Sequence, residues 1–344
     1  MGDVECLAAF CWLRCSVLHF YPTKVDLISN WNNNNRNNYM KVSLNLITTS
    51  MLIGLPMLAQ AEVFTIPQSS LIPSTTLWTD DLGISIGNTL VMTGGGSAAN
   101  VGDPTGRNDD GFSGPISFGL DFSGLTLFGT TYSQFYANNN GNISFGNGIS
   151  AFTPMGLQGA TQPIISAFFA DVDTRNAASG VMSFQTHTTA AGSEVIITWP
   201  SVGYYSQQAT PLNTFQLVVR EDDYLIPDGE GQIGFFWTTM GWEVGSASGG
   251  GSGGLCSGIG GIGTGCVPAA VGFGDGLNNG YVLEGSTLNG IAGVLQNHRL
   301  WVNLSDGGVP VIDPGAVPEP GTLALLSIGL AGLGIKRRYK AKIA

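Results

Sequence analysis

From Ile116 to Leu304 the chain alternates short apolar runs with polar punctuation. The runs are "ISFGLDF" from Ile116, "NISF" from Asn142, "IISAFFA" from Ile164, "VMSFQTH" from Val181, "EVIITW" from Glu194, "TFQLVV" from Thr214, "QIGFFW" from Gln232, "AVGF" from Ala270 and "RLWVNL" from Arg299. Each is strand length, rich in β-branched or aromatic residues, and bounded by Gly, Asn, Asp or Pro, while helical spacing is nearly absent. Such regular spacing predicts an all-β fold, a β-sandwich. "NNNGN" at 138–142 predicts a tight reversal between "YSQFYA" and "NISF", because Asn and Gly accept positive φ. Residues 62–106 are looser, rich in Ser, Thr and Gly, and read as a lead-in with a few edge strands. Residues 305–317, "SDGGVPVIDPGAV", read as a linker.

The two ends follow a different pattern. Gly321 to Ile335 carries no charge and is dominated by Leu, Ile and Ala. It is somewhat shorter than the roughly 20 apolar residues that span a bilayer. Lys336, Arg337, Arg338, Lys340 and Lys342 follow at once. Their long side chains can extend the span, and their sign places the C-terminus in the cytoplasm. The expectation is a single transmembrane helix. At the other end, "MKVSLNLITTSMLIGLPMLAQAEVF" begins at Met40, with Lys41 as a positive start, Val42 to Leu58 as the apolar stretch and Ala59-Gln60-Ala61 as a cleavage site. Residues 40–61 therefore read as a signal peptide for the Sec machinery. Residues 1–39, which include the low-complexity run "NWNNNNRNNY", read as a spurious upstream extension with synthesis starting at Met40.

Charge supports the same topology. Between Glu62 and Pro320 four cationic residues, Arg107, Arg175, Arg220 and Arg299, face 21 Asp and Glu, a balance of −17, and every Lys lies outside that stretch. An anionic body with a cationic tail fits a translocated domain tied to a cytoplasmic stub. Nucleic acid is excluded as a partner, because phosphate binding needs clustered cations.

Pro318-Glu319-Pro320, then the apolar segment, then the basic cluster, closely resembles the PEP-CTERM sorting signal of Gram-negative bacteria over residues 318–344. The resemblance implies an exosortase as partner, acting near Pro318, Glu319 and Pro320, and a membrane-anchored intermediate released to the cell surface or beyond.

An exported chain that starts at Met40 retains two cysteines, Cys256 and Cys266. An even pair in an oxidising compartment reads as a disulfide closing "CSGIGGIGTGC".

A second resemblance covers 107–304. "RNDDGFSGPISFGLDFSGLTLFGTTYSQFYANNNGNISFG", "FFADVDTRNAASGVMSF", "NTFQLVV", "QIGFFWTTMGWEVGSASGG" and "AVGFGDG", in that order, are similar to the extracellular nidogen-like (NIDO) domain. The resemblance implies a secreted β-rich module of cell-matrix adhesion without known catalytic activity. The stretch between Cys256 and Cys266 departs from the usual pattern.

Catalytic motifs are weak. "GIGGIG" at Gly258 and "GGSGG" around Ser252 formally match a dinucleotide loop and a nucleophile elbow, but they lie in a glycine-rich stretch without the strand and helix those motifs need. His187 and His298 are the two histidines after Met40, too few for a zinc cluster, and His187 is expected to face solvent. In "ADVDTRN", Asp171 and Asp173 would share a face if the strand continued, and two such charges need neutralising. Arg175 is the simpler neutraliser. Calcium, held by Asp171, Asp173 and Asn176, is the alternative, and no other cofactor is indicated. "EDDYLIPDGEG", with Glu221, Asp222, Asp223, Asp228 and Glu230, reads as a solvated loop. Trp199, Trp237, Trp242 and Trp301 are core or sugar-stacking residues, with Trp242 the candidate for an exposed ligand contact.

The reading that unites these features is an exported, non-enzymatic protein of the cell surface or matrix that associates with exopolysaccharide. A lectin-like module is the alternative, and a secreted hydrolase the third.

Overall fold

The computed structural model describes residues 62–96, 100–119, 122–256 and 265–312. The expected signal peptide, the sorting residues Pro318, Glu319 and Pro320, and the expected anchor with Lys336, Arg337 and Arg338 lie outside the described residues. Among the described residues no helix is long and apolar enough to cross a membrane.

Two large sheets dominate. The first runs from β1 (Val63–Ile66) through β17 (Gly280–Leu283), β16 (Ala270–Asp275), β11 (Pro163–Phe169), β10 (Asn142–Ser144), β9 (Gln134–Asn138) and β5 (Gly111–Phe112) to β4 (Gly94–Gly95), with β6 (Ile116–Ser117) also pairing with β9. The second runs from β2 (Ile72–Pro73) through β18 (His298–Val302), β15 (Ile233–Met240), β14 (Gln208–Arg220), β13 (Gly192–Tyr204) and β12 (Ser183–Thr189) to β3 (Asn88–Thr89). A separate hairpin joins β7 (Leu125–Leu127) to β8 (Thr130–Tyr132). The helices are single turns, α1 (Trp78–Leu82) and α2 (Ile291–Leu295).

The sheets meet across one apolar core. Phe168 of the first sheet lies 5.4 Å from Phe215 of the second, and Phe273 lies 5.6 Å from Phe235. Indole N–H groups stitch the layers: Trp237 Nε1 donates to the Ala167 carbonyl at 2.8 Å and Trp199 Nε1 to the Asn139 carbonyl at 3.0 Å. Buried tryptophan keeps its polar edge satisfied in this way. Several strands are apolar on both faces because both faces are covered. Phe235 and Trp237 point into the central core, while Phe236, Ile196 and Val218 pack under Trp78 of α1 on the outer face.

The residues 62–96 supply both edges of both sheets. β1 and β4 flank the first, β2 and β3 the second. Three of these strands are two residues long, which limits the row of unpaired backbone groups that an edge exposes. Two local expectations change. "ISFGLDF" yields only the two-residue β6 among its described residues. Conversely, β13 and β14 each reach 13 residues, because the polar stretch beyond "EVIITW" continues the hairpin through Val202–Asn213 and Tyr204–Gln208 pairing.

Candidate functional site

At one end of the first sheet, β5 begins, β9 turns into β10 and β11 ends, and the loops carry Asn108-Asp109-Asp110, Asn138-Asn139-Asn140 and Asp171-Val172-Asp173. An isolated antiparallel bridge between Asp109 and Asp173 ties the first loop to the third. Asn140 ties the second to both. Its Nδ2 donates to Asp110 Oδ1 at 2.7 Å, and its Oδ1 accepts the Val172 N–H at 2.9 Å. The turn "NNNGN" is therefore more than a reversal. Asn138, Asn139, Asn140 and Asn142 are all buried, and their amides hold neighbouring backbone and side chains. Gly141 is required because a Cβ there would stand 1.8 Å from the Phe168 carbonyl oxygen.

The result is a carboxylate centre. Asp109, Asp110 and Asp171 each offer an oxygen within 4.8 Å of the others. Asp109 and Asp171 are buried, Asp110 half-buried. Burial pushes Asp171 up to about 8, with Asp110, Asp109 and Asp173 adding like charge and Arg175 opposing. Burial likewise raises Asp109 to about 7, assisted by Asp173 and Asp110. Asp110 is also raised by burial, while the Asn140 hydrogen bond pulls the other way. Asp171 Oδ2 and Asp109 Oδ1 have no hydrogen-bond partner. Gly245 closes over the first of these, since a Cβ there would lie 2.4 Å from Asp171 Oδ2 and 2.5 Å from its Cβ.

The Arg175–Asp173 pair expected from the sequence forms, while the relation of Asp171 to Asp173 and the place of Asn176 differ from expectation. Asp171 and Asp173 do not present a shared face, because β11 stops at Phe169 and the backbone turns, with the Val172 N–H bonding the Ala170 carbonyl. Asp173 is fully engaged, accepting from Arg175 Nε at 2.9 Å and Nη2 at 2.5 Å and from the Gln207 N–H at 2.7 Å. Asn176 lies apart, its side chain spent on the Gln207 carbonyl and the Ala178 N–H. The carboxylate oxygens that stand close together are those of Asp109, Asp110 and Asp171, where the sequence suggests Asp171, Asp173 and Asn176. The first two were signalled only by their adjacency in "NDDG".

Trp242 is not an exposed ligand contact. Its exposure is 0%, its Nε1 donates to the Val202 carbonyl at 3.0 Å, and its ring meets Phe168 edge-on. The chain beyond β15 folds back over the core, so position after a strand did not mean solvent. His187 is half-buried with Nδ1 3.1 Å from Glu194 Oε1, and His298 Nδ1 is 2.9 Å from the Gln296 carbonyl oxygen. The acidic loop 221–230 is exposed in part, but Glu221 is buried and accepts the Ser193 and Ser123 N–H groups. Cys256 and Cys266 are joined by a disulfide, with Cα atoms 5.9 Å apart.

Beside the carboxylates lies a polar cavity of about 340 Å³, lined by Tyr205, Ser206, Gln208, Thr210, Ser246 and Ser252 among others. The two features share a wall. The Tyr205 N–H donates to the Asp171 carbonyl, the Ser246 N–H to the Tyr205 carbonyl, and the Arg175 guanidinium stands 5.8 Å from the Tyr205 ring centre.

The family described as NIDO related matches residues 88–262, half of the chain. The chain belongs to the NIDO-related family. The matched region contains every residue of the carboxylate centre and its polar cavity, and it begins inside the lead-in. The PEP-CTERM protein-sorting motif matches residues 316–338. Among curated proteins, alpha-tectorin of Gallus gallus is 30% identical over 246 residues, which is 64% of this chain and 11% of that protein. Alpha-tectorin of Mus musculus is 32% identical over 205 residues, covering 53% of this chain and 9% of the relative. The chain spans about a tenth of the length of these relatives. No solved structure matches the chain. A NIDO-related domain and a PEP-CTERM motif in one chain mark an exported protein, and the motif implies processing by an exosortase.

Proposed function

We propose that this NIDO-related chain is a non-enzymatic component of the cell surface or extracellular matrix, anchored for a time in the inner membrane and then handed on by an exosortase to associate with exopolysaccharide. The observation that carries this reading is the joint presence of the family domain at 88–262 and the sorting motif at 316–338. The sparse cations of the exported body fit a partner met through hydrogen bonds and surface shape more than through anion binding. Among the described residues His187 meets a buried carboxylate and His298 a backbone carbonyl, not a nucleophile.

The test is fractionation of cells making the wild-type chain or Glu319→Ala. The wild type is expected in the surface or released fraction and the variant in the inner membrane. Equal distribution of the two would overturn the sorting half of the reading. Retention of the released protein on the cells' own exopolysaccharide tests the other half, and its absence would overturn that.

A lectin-like reading is favoured by the polar cavity beside Tyr205. Glycan-array binding that disappears in Gln208→Ala would move the ligand site there.

A further inference from the structure

The carboxylate centre gathers more carboxyl groups than it has cations to pair with them. Asp109, Asp110, Asp171 and Asp173 converge, and Arg175 is the only cation among the charges acting on Asp171. Arg175 is already committed to Asp173 through two bonds and to Asp109 Oδ2 at 2.7 Å. Asp171 receives none of it directly. Its exposure is 1%, and Oδ2 has no hydrogen-bond partner. A buried carboxylate oxygen without a donor is costly, and the usual remedies are a proton, a donor or a metal ion.

Three features favour the metal. The first is spacing, because two oxygens on opposite sides of one calcium ion stand about 4.6–5.2 Å apart, twice the usual 2.3–2.6 Å ligand distance. Oxygens of Asp109, Asp110 and Asp171 lie within 4.8 Å of one another, close enough to share one ion. The second is chemistry, as the donors are all oxygen, the preference of hard cations. The third is construction. Asn140 clamps Asp110 from one side, and Gly245 leaves room where a Cβ would collide with Asp171 Oδ2. A centre held by outer residues in this way is prearranged for a ligand.

We propose that Asp109, Asp110 and Asp171 together bind a calcium ion, with Asn140 as positioning residue and water completing the coordination. The ion would join the loops before β5 and after β11, and through the Asp171 and Tyr205 backbone it would stiffen the wall of the polar cavity. The inference is separate from the polymer-association reading: sorting and polymer retention could both fail while the centre still binds calcium, and the reverse.

The experiment is calorimetric titration of calcium chloride into the chelator-treated full chain in detergent, paired with thermal melts. The wild type is expected to bind saturably with Kd of about 10⁻⁴ to 10⁻³ M, as extracellular modules do. Asp171→Asn and Asp110→Asn are expected to weaken binding at least about tenfold, comparable to or beyond the loss of a supporting residue. Asp228→Asn, in the exposed acidic loop, is expected to leave it unchanged. Asp171→Asn also removes like-charge repulsion, so its calcium-free melting temperature should equal or exceed that of the wild type, showing that lost binding is not unfolding. Asp110→Asn, at a half-buried position, gives a second reading. No saturable heat in the wild type, or an equal calcium response in wild type and Asp171→Asn, would overturn the proposal.

Discussion

Among the described residues two charged clusters are buried, and they are built to opposite rules. On the outer face of the second sheet Glu194 and Arg220 are both at 0% exposure, and each carries several polar partners. Glu194 accepts from Arg220 Nε at 3.0 Å and from Trp78 Nε1 at 2.8 Å, while Arg220 also reaches the Gly231 carbonyl and Glu230. Its guanidinium lies between the rings of Tyr224 and Trp301, each 4.4 Å away. At the end of the first sheet the carboxylates outnumber their cation, and oxygens of Asp109 and Asp171 are left without donors. A closed network holds α1 and its neighbours in place. An open one invites a ligand.

The comparison is sharpest where one member of the closed network is removed. Arg220→Met should destabilise the fold by about 3–5 kcal/mol, because it leaves Glu194 charged and buried. Chemical denaturation measures this, and adding Glu194→Gln should restore part of the loss. If Arg220→Met is neutral, the cluster is not the tie we describe.

Gly245→Ala comes next, at about 1–3 kcal/mol of lost stability, since the new methyl collides with the Asp171 side chain at its root and its tip. The same denaturation series checks it, and calcium titration should show weaker binding. Asp171→Asn should act in the other direction. Without calcium it should raise the melting temperature by about 2–4 °C, the shift of roughly 1 kcal/mol in a chain of this size. Differential scanning calorimetry would detect it, and a fall of several degrees would mean that the carboxylate is satisfied in a way the geometry does not show.

The smallest effect is a pH slope. Asp109 and Asp171 have folded-state values raised to about 7 and about 8, so the folded chain holds protons that the unfolded chain has released. Their contribution is fully present below about pH 4, the ordinary carboxylate value. It is lost as pH rises through about 7 to 8. Calcium-free stability, taken as wild type minus Asp171→Asn, should therefore decline over that window, and saturating calcium should flatten or reverse the decline. Melting curves in matched buffers would show whether the slope exists.

Much of the β-structure was legible in local pattern. "IISAFFA", "EVIITW", "TFQLVV" and "QIGFFW" all become central strands, because a strand buried on both faces must be apolar at nearly every position. The order of the nidogen-like pieces likewise pointed to the family that matches. Short edge strands such as Gly94–Gly95 escaped notice, as two residues carry no period. The site was less legible. Asp171 was singled out, but its partners are 61 and 62 positions earlier in sequence, at Asp110 and Asp109, and no spacing rule joins residues so distant. In the sequence Asn140 signals only a turn, since an Asn that reverses the chain and one that clamps a carboxylate look the same in one dimension.

The sequence by itself determined the β character, the lopsided charge and the sorting motif, because each is a property of contiguous residues: side-chain shape, formal charge and a fixed order of short segments. Only the tertiary structure decided that Trp242 is core, that Asp173 belongs to Arg175, and that Asp109, Asp110 and Asp171 meet. Those outcomes depend on which loops the two sheets bring to the same end, and long-range pairing sets that geometry.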